Sequence, residues 1–495
     1  MSLLKIHDKD NVAVALRDIT KGETITVGST EITAAEDIAQ GHKIALIDLE
    51  PGQNIMKYGF PIGHSIQKIL AGQWVHAHNI KTNLGDLLEY SYEANLPEMK
   101  GGPCQSYFQG YRRKNGTVGV RNEIWVIPTV SCVNRTAQLL ANWGNDNVQT
   151  QGNVEGVFAF THPYGCSQLG GDHQATQRIL AALINHPNAG GILVVGLGCE
   201  NNHIDEFKKV LGAYDSERVK FLNAQDVEDE ITAGKELMEE LIGYAGQFQR
   251  ENCPASELVV GLKCGGSDGF SGITANPLLG SFSDQLIACG GSTVLSEVPE
   301  MFGAETILMN RARDEEVFAK IVALINDFKA YFMSYNQPVY ENPSPGNKKG
   351  GISTLEEKSL GCTQKGGRAI VTDVLGYGET IQSKGLNLLN GPGNDAVAST
   401  ALAAAGCHMV LFTTGRGTPL GTAVPTVKVA SNSELFRRKP HWMDFNAGEL
   451  LTGTSMEEMT GKFFAYILEI ASGRPTNTEE MGFREIAIFK NGVTL

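Results

Sequence analysis

Residues 259–276 read V-V-G-L-K-C-G-G-S-D-G-F-S-G-I-T-A-N. An apolar run ends in Cys264 and enters a glycine-rich turn carrying Ser267, Asp268 and Ser271. A run that is apolar at successive positions fits a strand covered on both faces. The same unit recurs on either side. V-E-G-V-F-A-F (154–160) and G-G-I-L-V-V-G-L (190–197) are each followed by a turn and a helix-like segment. R-V-K-F-L-N-A (218–224) precedes V-E-D-E-I-T-A-G-K-E-L-M-E-E-L-I, which has helical apolar spacing and opposite charges four residues apart. Downstream, S-T-V-L-S-E-V, A-I-V-T-D-V-L, L-N-L-L-N and H-M-V-L-F-T-T read as further strands. Buried strands alternating with helices predict parallel sheets covered on both faces.

The first 92 residues have a different texture. Short Val-, Ile- and Thr-rich runs such as D-N-V-A-V-A-L and G-E-T-I-T-V alternate with glycine turns, which predicts a small all-β domain. Residues 93–110 carry Pro and Gly without periodicity and read as a linker. The polar stretch at 249–257 divides the remainder into α/β units at 111–250 and 251–495.

Composition narrows the function. With 41 Lys and Arg against 55 Asp and Glu, the net charge is −14, which argues against a nucleic-acid partner. No apolar segment is long enough to span a bilayer, and the N-terminus lacks a signal-peptide core, so a cytoplasmic protein is expected. Nine cysteines without paired spacing predict free thiols rather than a disulfide framework.

Several of those cysteines sit in glycine-rich turns: Cys166, Cys199, Cys264, Cys362 and Cys407. Ligands of parallel α/β sheets lie at the carboxyl ends of strands, so Cys166, Cys199 and Cys264 are candidates for contact with a metal or substrate. W-V-H-A-H-N (74–79) is read as a strand with His76 and His78 on one face, as an acid and base or as metal ligands. Glu297 and Glu300 follow the next strand and would form an acidic cation pocket if near Asp268.

Two nucleotide readings are weak. The turn after Cys264 lacks the Gly-Lys-Ser/Thr ending of a phosphate loop, and Asp268 would repel phosphate. G-P-G-N-D-A (391–396) matches a dinucleotide fingerprint in outline. Its next strand, however, ends at Arg416 instead of an acidic residue, and Pro392 and Asp395 suit phosphate poorly. No nucleotide cofactor is expected, with an NADP oxidoreductase as the rival class.

The motifs Y-G-F-P-I-G-H, V-H-A-H-N, V-G-V-R-N-E, T-H-P-Y-G-C-S-Q, G-L-G-C-E-N-N, K-C-G-G-S-D-G-F-S-G-I-T-A-N-P, E-V-P-E-M-F-G-A-E, K-S-L-G-C-T-Q-K and G-P-G-N-D-A together resemble the altronate/galactarate dehydratase family. The resemblance runs from end to end. It implies an N-terminal β-clip domain of the antifreeze-like type, a middle α/β domain that dimerises and a C-terminal Rossmann-variant domain with a metal site. It further implies iron(II) or manganese(II), and a hydro-lyase that turns a sugar acid into a 2-keto-3-deoxy acid.

Against that chemistry, His76 or His78 is expected as the base, and Lys365 and Arg121 as partners of the substrate carboxylate. Asn122, Ser267, Asn276, Asn394 and Asp395 are expected to bind substrate. Cys264, Asp268 and Glu300, with Cys166 and Cys199, are the metal candidates. Rivals are another sugar or sulfonated hydroxy acid, and an iron–sulfur dehydratase whose strand-end cysteines hold a cluster.

Overall fold

The computed structural model describes residues 2–85, 87–98, 105–148 and 153–495. Its N-terminal region is all β. Strands Leu3–Leu4, Val12–Ala15, Lys43–Ala45 and Trp74–Val75 form an antiparallel sheet, and Asn54–Lys57, Phe60–Ser65 and Ile80–Lys81 a second one. Val12, Ile55, Ile62, Val75 and Ile80 form a core that continues into Ala304 and Leu360 of the C-terminal region. The β region is therefore seated on the rest of the chain by apolar contact.

The expected strand through His76 and His78 does not form. The strand stops at Val75, and the amides of Asn79 and Ile80 both donate to the His76 carbonyl, at 2.9 and 3.1 Å. The cause is Asn79. Its Oδ1 accepts from the His76 amide (2.9 Å) and its Nδ2 donates to the Trp74 carbonyl (2.8 Å), which ties the segment into a turn.

The segment read as a linker also differs at its end. Strand Tyr107–Arg112 begins inside it and pairs antiparallel with Arg250–Pro254, so both flanks of the middle region meet in one small sheet. Residues 99–104 of that segment lie outside the described residues.

The middle sheet is parallel in the order Val157–Ala159, Glu123–Pro128, Ala189–Gly196, Val219–Asn223. Its helix Glu230–Ala245 starts at Asp229, whose carboxylate accepts from the amides of Ile231 and Thr232. The larger sheet is also parallel, in the order Val371–Leu375, Gly385–Leu389, Ser292–Leu295, Val259–Cys264, Met409–Thr414, Thr426–Ala430, Phe445–Asn446. One core cluster joins the two sheets: Trp125, Ile192 and Val194 pack with Val294, Leu389 and Val410. No described helix is long and apolar enough to cross a membrane. Cys289 is disulfide-bonded, the departure among the described cysteines from the expected free thiols.

Candidate active site

In the larger sheet, the first strand in the chain, Val259–Cys264, lies between Ser292–Leu295 and Met409–Thr414. The chain leaves it toward opposite sides. This opens a crevice at the carboxyl ends of the strands, where open α/β sheets bind ligands.

Cys264 ends that strand inside a buried cluster. Its Sγ is 2.9 Å from Glu300 Oε2, 3.3 Å from Cys362 Sγ and 2.8 Å from Lys365 Nζ. One ligand atom each from Cys264, Glu300 and Cys362 lies within 4.8 Å of the others, an arrangement that can hold a metal ion. Glu300 reaches in from the short helical turn Val298–Glu300. The turn opens with Glu297 in the left-handed region (φ 71°), a strained conformation for a glutamate. Glu297 is held there because its carboxylate accepts from the Cys264 amide (2.9 Å) and from Lys263 Nζ.

The charges around the cluster balance. Lys263, Lys358 and Lys365 face Glu297, Glu300 and Asp395: Lys358 Nζ is 2.7 Å from Glu300 Oε1, and Lys263 Nζ is 2.9 Å from Asp395 Oδ1. Burial opposes ionisation of Glu300, but Lys358 and Lys365 outweigh it and hold the carboxyl below its usual range. Burial likewise opposes a charge on Lys365, and the Cys264, Cys362 and glutamate groups around it raise its pKa instead. Three lysines thus face three carboxyl groups beside the two thiols. A divalent cation with two thiolates adds equal and opposite charge, so the donor set fits a metal that displaces two protons.

The β region closes over this edge. Lys43 Nζ and Lys57 Nζ reach Glu357 at 2.8 and 2.7 Å, all three side chains being fully buried. Tyr58, at φ 62°, lines a cavity of about 10 Å³ with Ser267, Asn276, Lys358 and Cys362. Gly269 permits the approach, since a Cβ there would stand 2.0 Å from the Gly41 carbonyl oxygen. Outside lies a polar groove of about 980 Å³, with Arg416, Asn432 and Arg437 on its wall. Asp268 lines both spaces.

The expected residues divide into three groups. Cys264, Glu300 and Lys365 come together, and Ser267 and Asn276 face the adjoining cavity. Ser267 Oγ is buried without a partner, whereas Asn276 donates to the Gly361 carbonyl and accepts from Thr413 Oγ1. Asp268 sits nearby but is not in the ligand group. Its oxygens already accept from the Ser271 amide and hydroxyl, Ser431 Oγ and Asn432 Nδ2, so it orders the turn. Asn394 caps helix Asp395–Ala404 through the Val397 amide, and Asp395 is paired with Lys263.

Other expectations fail on geometry. All five Arg121 donors are taken, by both Glu479 oxygens and the carbonyls of Val120, Ile470 and Arg474. Asn122 bonds Arg113, Asn153 and Ala245 at the amino end of its strand, away from the carboxyl edge. Neither is free to take a substrate carboxylate. Cys166 and Cys199 are exposed on loops of the middle sheet and do not join the Cys264 group.

His78 is exposed. His76 stacks on Trp74 (5.0 Å) and meets His42 edge-on (5.1 Å). Burial, with Lys43 and His42 nearby, pushes its pKa down to about 4, and its Nδ1 is buried without a partner. His76 is therefore a neutral, unsatisfied base at neutral pH.

The residues missed were Cys362, Lys358, Glu357, Lys43, Lys57 and Tyr58. A signal existed for two of them. Lys358, Cys362 and Lys365 fall at i, i+4 and i+7, one face of the helix Leu355–Cys362 and its short continuation.

Three family models cover the chain in succession. They are the altronate/galactarate dehydratase SAF domain over 1–83, the D-galactarate dehydratase/altronate hydrolase second domain over 110–246, and the D-galactarate/altronate dehydratase C-terminal domain over 255–494. An altronate dehydratase of Bacillus subtilis (strain 168) is 58% identical over all of both chains. The chain belongs to the D-galactarate/altronate dehydratase family. An altronate dehydratase of Escherichia coli (strain K12) is 54% identical, again over all of both chains. The galactarate dehydratase (L-threo-forming) of the same organism is 35% identical over 98% of this chain and 96% of its own. In this family member the matched C-terminal segment carries the whole Cys264–Glu300–Cys362 cluster.

Proposed function

We propose that this dehydratase acts on D-altronate, releasing water and 2-dehydro-3-deoxy-D-gluconate within hexuronate breakdown. The buried Cys264–Glu300–Cys362 cluster, in a chain so similar over its full length to altronate dehydratases, carries the reading. Two sulfurs and one carboxylate favour iron(II) over manganese(II), and three protein donors leave a position open for substrate. Bound there, the ion supplies positive charge for the enediolate that forms when C2 loses its proton.

The chain's own groups do the rest. Lys365 and Lys358 stay cationic beside the cluster and favour a substrate carboxylate there. Ser267 Oγ, buried and unpartnered, takes a substrate hydroxyl; Asn276, Asn394 and Asp395 could join it only by giving up the bonds they hold to Gly361 and Thr413, Val397 and Lys263. His76 Nδ1 accepts the C2 proton, and His78 belongs to the same turn. We read the chain as a β-clip domain (1–92), a linker (93–110) whose last four residues already belong to strand Tyr107–Arg112, a dimerising α/β domain (111–250) and a Rossmann-variant domain (251–495). It works as a cytoplasmic homodimer.

The deciding experiment is an anaerobic panel of altronate, galactarate, other aldonates and sulfolactate, with and without iron(II). The 2-keto-3-deoxy acid is assayed. Iron-dependent turnover of altronate above the others is the expected result. Preference for galactarate, or turnover unaffected by iron and by chelation, would sink it.

A further inference from the structure

The cysteines that do not join the Cys264 cluster have their own arrangement. Strands Val157–Ala159, Glu123–Pro128 and Ala189–Gly196 are neighbours in the middle sheet. The loop leaving the carboxyl end of each carries one exposed free cysteine: Cys166, Cys132 and Cys199. Free cysteine is among the most buried residue types, and Cys253, Cys264, Cys362 and Cys407 follow that habit. Three exposed thiols on one rim do not.

These loops are laced together. The Ser131 amide donates to the Tyr164 carbonyl (2.9 Å) and the Asn202 amide to the Gly165 carbonyl (3.0 Å). The Ser167 amide donates to Asn201 Oδ1 (2.9 Å), and Asn202 Nδ2 to the Thr129 carbonyl (3.1 Å). Each cysteine is thus within two residues of a bond to another of the loops. The chain also reverses direction here, since its first strand in this sheet lies between the second and third, which marks a ligand crevice.

A second observation points to an occupant. Gln168 Nε2 is a donor with no acceptor and Asn202 Oδ1 an acceptor with no donor. Their residues are only 3% and 0% exposed and lie in the same loops. Unpaired polar atoms at that depth are costly unless a ligand meets them.

We propose that Cys132, Cys166 and Cys199 hold a [4Fe–4S] cluster at the carboxyl edge of the middle sheet, with the fourth iron free of a protein ligand. A single ion draws its ligands close together, and these thiols form no such group among the described residues. A cluster spans more widely, because each thiolate binds a different iron. Ligation replaces three thiol protons by three sulfur–iron bonds and leaves the oxidation state of the cluster unchanged. Gln168 Nε2 would offer such an occupant a donor, and Asn202 Oδ1 an acceptor. The site is independent of Cys264, Glu300 and Cys362.

The test is anaerobic reconstitution of the full chain with an iron salt, sulfide and dithiothreitol, followed by assay of iron, acid-labile sulfide and visible absorbance. Wild type is expected to gain sulfide and a broad visible band. The triple variant C132S/C166S/C199S should fall to background while keeping its circular dichroism, and each single variant should lose most of the sulfide. The C264S/C362S variant should keep the cluster. Wild type with iron or zinc but no sulfide, or a triple variant with undiminished sulfide, would overturn the proposal.

Discussion

Cys264 is touched by a thiol, a carboxylate and an ammonium group, and removing its neighbours one at a time should separate their roles. Cys362→Ser is expected to abolish tight iron binding and cut kcat at least 100-fold, with the melting temperature little changed; an undiminished iron content by metal analysis would refute that role. For the base, the H76A/H78A variant with iron supplied should lose nearly all turnover, and H78A alone very little. Near-complete activity in the double variant would remove His76 from the mechanism. Arg121 shows the opposite case. Because all five donors serve Glu479 and backbone carbonyls, Arg121→Ala should lower stability by about 3–5 kcal/mol in a denaturant titration without specifically raising KM.

Among elements, helix Leu355–Cys362 bears the most on the site. One face carries Lys358 and Cys362 to the cluster, and Glu357 clamps the β region through Lys43 and Lys57. Replacing Glu357 with Gln leaves two buried ammonium groups without their carboxylate. The expected cost is about 3–5 kcal/mol, read by urea unfolding, with rapid proteolysis of the loosened β region. A loss within 1 kcal/mol would mean the clamp is not sealed from water.

This helix also marks where sequence reading stops. Strand Val259–Cys264 was recognisable from its apolar run, and Glu300 from its place after the next strand. Cys362 ends a helix 98 residues further on, and nothing local ties it to Cys264. The alternation around His76 and His78 suggested a strand because the two Asn79 bonds that make a turn are invisible to periodicity. Arg121 looked available because its five acceptors come from segments as distant as 349 to 358 residues, as well as from its own neighbour.

For the whole molecule, buried histidines set the acid limit. Burial pushes His162 and His408 down to about 4 and His186 down to about 3. In the unfolded chain each titrates near 6.5, about the usual value. Between about pH 6.5 and pH 4 the unfolded state therefore binds more protons, and stability must fall as pH falls. Glu357, held low by Lys43 and Lys57 against its burial, adds its own loss at still lower pH. Urea midpoints should decline steadily below pH 6.5, and a flat profile down to pH 4.5 would contradict this.

The lysine–glutamate clamp also has a consequence in time. Lys57 and Lys43 precede Glu357 in the chain by 300 and 314 residues. At about 5–20 residues per second, ribosomes make them roughly 15–60 s before their partner exists. Throughout that interval the two ammonium groups must stay hydrated, so the nascent β region cannot seat itself. The candidate active edge is consequently assembled late in synthesis, and a ribosome stalled before codon 357 would display the β region undocked.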